Sequence, residues 1–232
     1  MEILESILII SHVVAGVASL IAGLMSAFIG KKGGKLHRQV GKVFYWCMFW
    51  IFVSALLIVS FVRFSFFLTI IAVFSYYMAF SGVRALRIKK SKKVAFIDWF
   101  AGYLTALVGI GLFGYGIYRL VETASADVLG LLSLFFGFFT AQTAYQNLKV
   151  FRKLDQQEKL WWWFAHMNSM GGSLIASITA FLVQNGRIFD LPNNLAWLPW
   201  ILPAVIGSPL IAFWARKYRQ KFGVGKYARA GA

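Results

Sequence analysis

Long apolar runs alternate with short clusters of Lys and Arg along the chain. Seven runs stand out, at about 4–29, 40–62, 65–87, 96–119, 128–149, 160–184 and 197–215. Each is near or above the ~20 residues that carry an α-helix across a ~30 Å hydrocarbon core. A barrel strand would need only ~10 residues and would alternate apolar with polar positions. These runs are continuous, and lipid requires every backbone group to pair within its own segment. The pattern predicts an all-α polytopic membrane bundle of seven transmembrane helices. The linkers are short and no internal repeat is visible, so a single transmembrane domain over 1–232 is expected, ending in a basic tail at 216–232.

The basic clusters set the orientation. They fall in the first, third and fifth linkers and in the tail: Lys31, Lys32, Lys35, Arg38 and Lys42; Arg84 to Lys93; Lys149, Arg152, Lys153 and Lys159; and Arg216 to Arg229. Of the 24 basic residues, all but Arg63, Arg119 and Arg187 lie on this one side. Cytoplasmic loops carry the excess of Lys and Arg, so the expectation is N-out/C-in. Trp161, Trp162 and Trp163 open the sixth run and Trp197 and Trp200 the seventh, where interfacial aromatic belts are found.

Composition sharpens the picture. The 232 residues are 59% hydrophobic and only 14% charged, with a formal net charge of +16. A soluble nucleic-acid binder of that charge would be far less apolar. The expected partner of the basic face, and of the tail with its Tyr218, Phe222 and Tyr227, is anionic lipid headgroups, not nucleic acid. The one cysteine, Cys47, excludes an intramolecular disulfide. Glu2 and Glu5 stand where a signal peptide is basic, so cleavage is not expected.

Small residues mark the helix faces. His12, Gly16, Ser19, Gly23, Ser26 and Gly30 step by three and four along the first run, which keeps them on one face. Gly102, Thr105, Gly109 and Gly116 do the same in the fourth, and His166, Ser169, Ser173, Ala176 and Ala180 in the sixth. Such seams let helices approach closely in lipid. Pro203 and Pro209 are expected to kink the seventh helix.

Ionisable groups within spans are costly and face partners or cavities. Two are clearly placed there, His12 and His166. At ~1.5 Å per residue His12 lies ~10 Å below the outer interface and His166 ~10 Å above the inner one. Both are candidate cofactor-binding residues, with His37 a third at the cytoplasmic surface. Polar residues gather in the cytoplasmic half: Tyr76, Tyr77, Gln142, Thr143, Gln146, Asn168 and Ser169 are the candidate ligand pocket. Interhelical hydrogen bonding is the plainer reading of that cluster. Arg84 and Asp98 flank one turn and are expected to form an ion pair.

Several chemistries fit poorly. Gly33-Gly34-Lys35 to Gly41-Lys42 has six residues between Gly34 and Gly41, where a phosphate loop has four, and Val43 follows where Ser or Thr is needed. The last span has no mid-helix lysine for a retinal Schiff base. No His-x3-His pair suggests a zinc site, and no metal is expected. No nucleophile–base pair or carboxylate dyad is visible, so an enzyme is not expected. Two histidines on different helices suit one haem b, or a quinone-like head beside Phe135, Phe136, Phe138 and Phe139.

One family likeness rests on Ser11-His12-x3-Gly16, on Lys32-Gly33-Gly34-Lys35-Leu36-His37-Arg38 with Gly41-Lys42, on Tyr77 to Leu86, and on His166-Met167 with Thr179 to Val183. Over the first six helices the chain resembles predicted bacterial membrane proteins catalogued as domain of unknown function 2306. The resemblance implies a polytopic membrane protein with no assigned activity, and it transfers no catalytic residue. The leading functional expectation is therefore a small-ligand or redox-cofactor binding membrane protein, haem b or quinone, using its intramembrane histidines. A transporter or permease with a cytoplasm-facing polar pocket, and a non-catalytic assembly subunit, are the alternatives.

Overall fold

Seven long helices occupy most of the computed structural model, which describes residues 2–62, 66–123, 127–186, 192 and 195–228. They are α1 (Glu2–Phe28), α2 (Lys35–Phe61), α3 (Phe66–Ser91), α4 (Phe96–Thr123), α5 (Val128–Arg152), α6 (Trp161–Gln184) and α7 (Leu198–Phe222). Single 3-10 turns follow α5 at Leu154–Gln156 and α7 at Gly225–Tyr227. The described residues contain no strand. Arg63, Arg187 and Arg229, which entered the charge reading, lie outside the described residues.

Six of the seven helices are long and apolar enough to cross a membrane, so the chain has the build of a multi-pass membrane protein. The exception is α6. Its length suffices, but His166, Asn168, Ser169, Gly171, Gly172 and Ser173 dilute the hydropathy of its first half. Helix ends also overrun the apolar runs. At their basic ends α2 begins at Lys35, α3 reaches Ser91, α5 reaches Arg152 and α7 reaches Phe222. Hydropathy marks hydrocarbon, whereas a helix continues into the headgroup layer, where long basic side chains reach water.

The chain divides into two compact units, with the boundaries inside α3, α6 and α7. The first holds 1–79 and 173–203. Its core begins with the α1–α2 hairpin. Gly30 and Gly33 (both φ +77°) make the turn, a conformation that costs glycine little. Lys32 Nζ donates to the carbonyls of Ser26 and Ala27, and His37 Nδ1 to that of Ser26 at 3.1 Å. Side-chain donors thus satisfy carbonyls left open at the end of α1. Farther along, Gly23 admits Leu174 of α6 and Phe44 of α2: a Cβ there would lie 2.6 Å and 3.0 Å from their side chains. Ser173 donates to the Ser75 carbonyl at 3.0 Å. Tyr76 lies against Phe52, with ring centroids 4.9 Å apart, and its hydroxyl is 3.3 Å from that of Tyr45.

The second unit holds 80–172 and 204–232. Its centre is the antiparallel α4–α5 hairpin, closed like a zip by glycine. A Cβ at Gly109 would fall 2.4 Å from the Ala141 backbone nitrogen, one at Gly137 2.5 Å from that of Phe113, and one at Gly116 2.8 Å from that of Leu134. Backbone thus meets backbone where any larger residue would hold the helices apart. Asp127 caps α5 by accepting from the Gly130 N–H at 2.8 Å and from Arg119 Nε at 3.0 Å. The arginine, aided by that N–H, holds the Asp127 carboxyl below its usual range, against the opposing effect of burial.

Helix α7 ends in a Schellman turn. Val224 N–H donates to the Arg219 carbonyl and Gly223 N–H to that of Gln220, with Gly223 at φ +58°. Val224 is buried, and Arg219 binds Glu158 and lies 4.2 Å over the Phe164 ring. The first residues beyond α7 therefore fold back onto the end of this unit.

Candidate functional site

The three histidines share one detail of hydrogen bonding. His12, on the small-residue face of α1, places Nδ1 2.8 Å from Ser54 Oγ on α2. Ser54 has one hydroxyl proton, and its oxygen lies 2.6 Å from the Trp50 carbonyl and 3.1 Å from that of Ile51. Those contacts require the hydroxyl to donate to its own helix, or oxygen lone pairs would face each other. Ser54 must therefore accept from His12, which puts the imidazole proton on Nδ1 and the lone pair on Nε2. No described residue hydrogen-bonds His12 Nε2. Beside this pair Trp50 Nε1 donates to Ser11 Oγ at 3.2 Å, a second clasp between the same helices.

His166 also turns Nδ1 toward an acceptor on a neighbouring helix. Its Nδ1 lies 2.9 Å from the Gly82 carbonyl of α3, which can only accept. One turn on, Ser81 Oγ donates to Ser169 Oγ at 3.2 Å, and Gly82 leaves room for Met170, whose Sδ would lie 2.9 Å from a Cβ there. His37 Nδ1 also donates to a carbonyl, at the edge of the hairpin turn. Hydrogen bonds of this type fix the orientation of an imidazole ring and raise the basicity of its other nitrogen.

The surroundings of His12 are open in one direction. Gly16, one turn deeper on the same face, has nothing within 4 Å of where its Cβ would stand, whereas Gly23 on that seam is tightly filled. A helical side chain leans toward the N-terminus of its helix. His12 therefore leaves the spot over Gly16 uncovered.

The remaining site residues separate. His12, His37, Tyr76 and Tyr77 belong to the first unit, and His166, Gln142, Thr143, Gln146, Asn168 and Ser169 to the second. Tyr77 and Ser169 are buried, while Tyr76 and Thr143 are half-buried. Gln142, Gln146 and Asn168 are exposed. Ser133 and Thr140, on the face of α5 that meets α4, are fully buried, and their hydroxyls have no hydrogen-bond partner among the described residues.

Arg84 and Asp98 form a bidentate pair, Nε to Oδ1 at 2.5 Å and Nη2 to Oδ2 at 2.6 Å. The Asp98 side chain is 0% exposed and that of Arg84 14%. Asp98 also accepts from the Ala95 N–H at 2.8 Å. It reaches back over the start of α4, as the third residue of a capping box does. The arginine thus joins α3 to a carboxylate that already stabilises the next helix. Nearby at the same boundary, Lys89 Nζ sits 3.8 Å over the Trp162 ring, and Trp163 packs against Tyr218 at 4.6 Å.

Ser54 and the Gly82 carbonyl are partners that sequence reasoning does not find. A serine in an apolar run carries no distinguishing signal, and a backbone carbonyl carries none at all. No group of three or more His, Cys, Asp or Glu side chains suited to a metal ion stands among the described residues. Compared with known proteins, the chain matches no family model, no curated protein and no solved structure.

Proposed function

We propose that this chain is a bacterial inner-membrane protein of seven spans, N-out/C-in, that binds a small ligand or redox cofactor through an intramembrane histidine, with His12 and His166 each a candidate in its own unit. The observation that carries the reading is the hydrogen bonding of His12. Its ring donates from Nδ1 to Ser54 on the neighbouring helix, so the neutral imidazole holds its electron pair on Nε2. Such a nitrogen binds iron, or accepts from a hydroxyl, and it cannot donate to a carbonyl. The chemistry therefore favours haem b, or the hydroquinone form of a quinone, over an oxidised quinone. When bound, such a group would supply electron transfer; the residues here would hold and orient it. The open spot over Gly16 supports the reading at His12.

The same topology draws α6 through the membrane despite its polar first half, because the Lys and Arg clusters alternate without exception only with seven spans. Its basic face and tail would lie on anionic lipid headgroups. The likeness to the family catalogued as domain of unknown function 2306 is part of this proposal and rests on the segments around the three histidines.

The test is the protein purified from membranes of haem-sufficient cells. A Soret band is expected, or else a quinone in the organic extract, with each signal diminished in His12→Ala and His166→Ala. Gly16→Val, which fills the open spot, is expected to weaken binding without removing a ligand nitrogen. Colourless protein whose extract holds no quinone, also after supplementation with haem, overturns the proposal.

A further inference from the structure

We infer that two copies of this chain pair in the membrane through the face of α5 that carries Gln142 and Gln146. The face opposite is occupied: Gly130, Ser133, Gly137, Thr140, Ala144 and Leu148 are buried in the unit α5 shares with α4. Gln142 and Gln146 are exposed, and no described residue hydrogen-bonds either amide.

Depth makes this costly in a monomer. The 25 residues of α5 run from Val128 to Arg152, with Thr140 at the midpoint. At ~1.5 Å per residue Gln142 lies ~3 Å from that midpoint and Gln146 ~9 Å. With α5 centred in a ~30 Å hydrocarbon core, Gln142 is ~12 Å from the nearer edge, farther than a glutamine side chain reaches. Lipid offers no donor or acceptor, and an unpaired amide there bears its full desolvation cost.

The chemistry of the face names its occupant. A primary amide carries a carbonyl acceptor and two N–H donors. Two identical faces related by a two-fold axis therefore satisfy one another, Gln142 and Gln146 of one copy against the same residues of the other. This is the isologous contact that most homo-oligomers use. Phe138 and Phe139, 52% and 44% exposed one turn toward the outer side, would add apolar area to the contact. Lys149 is the charged group on this face. It stands at the headgroup end of α5, where its ammonium reaches lipid phosphate and need not meet its twin.

Cysteine cross-linking in nanodiscs of mixed anionic and zwitterionic lipid tests the pairing. In a Cys47→Ser background, Phe139→Cys and Lys149→Cys are each oxidised, with Leu107→Cys on the exposed side of α4 as the control. The expected result is disulfide dimer at Phe139→Cys and Lys149→Cys and little at Leu107→Cys. Gln142→Leu with Gln146→Leu should lower the dimer at least tenfold while leaving helical circular dichroism unchanged, because leucine suits a lipid-facing position. A monomeric mass before and after that change overturns the inference. So does equal cross-linking at Leu107→Cys, or a complex with a different membrane protein in place of the second copy.

Discussion

Replacing Gly137 by alanine adds one methyl where the backbones of α4 and α5 meet. The new Cβ would lie 2.5 Å from the Phe113 nitrogen, 2.8 Å from its Cα and 2.9 Å from the Gly109 carbonyl oxygen, all backbone atoms. Ordinary contact begins at 3.4 Å, so the helices must separate by roughly 1 Å. No side-chain rotation relieves the clash. Overpacking of this kind costs ~1–3 kcal/mol. Alanine also favours the helix over glycine, by ~0.8–1.0 kcal/mol, which offsets part of the loss. Gly111 and Gly114 on the same helix pair have nothing within 4 Å and provide controls. There the methyl meets no protein atom, and only the helix preference remains. The expected order is therefore Gly137→Ala less stable than wild type, with Gly111→Ala and Gly114→Ala equal to or above it. Gly109→Ala combined with Gly137→Ala should cost less than the sum, since one separation relieves both clashes. The assay is reversible unfolding in mixed detergent micelles, followed by circular dichroism. Equal midpoints for Gly137→Ala and Gly111→Ala would refute the reasoning, because only the neighbouring backbone distinguishes the two sites.

Three further outcomes are expected. Asp98→Ala leaves the Arg84 guanidinium without its buried partner and should cost ~3–5 kcal/mol, while Asp98→Ala with Arg84→Met should recover much of it; a double-mutant cycle in the same unfolding assay measures the coupling, and additive losses would count against a direct pair. The lowered Asp127 carboxyl favours the folded chain fully above the ordinary carboxylate value of ~3.9, and that contribution is lost as pH falls through the lower folded value. Asp127→Asn should flatten this part of the acid limb in a pH series of melting temperatures, and an unchanged limb would sink the assignment. Glu158→Gln should loosen the turn after α7, seen as faster trypsin cleavage beside Gly223–Tyr227 with the spans still protected; an unaltered digest would mean that the Arg219 contact does not hold the turn.

The helices were legible because lipid imposes a strong rule on every residue of a span. Periodicity also marked the small-residue faces of α1 and α4 that meet their neighbours. Helix ends were less legible at Lys35, Ser91 and Phe222, where the apolar signal stops before the backbone hydrogen bonds do. Gln142, Gln146 and Asn168 show a harder limit. Their polarity marks them as candidates in the sequence, and their exposure is set by how each helix is turned against its neighbours, which single-sequence hydropathy does not contain. Ser54 marks the same limit at His12, since the residue that sets the proton of the ring lies 42 positions away.

The ion pairs also set a timetable for synthesis. Arg119 meets its carboxylate 8 residues later and Arg84 after 14. Both partners emerge almost at once, so these joints close while neighbouring helices are still entering the bilayer. Glu158 must wait for Arg219, 61 residues downstream. At ~5–20 residues per second that is an interval of about 3–12 s. During that time Glu158 has not yet met its arginine. Among the ion pairs of the described residues, the one at the turn after α7 is thus the last to close, and a nascent chain released before Arg219 would have the other two in place and lack this one.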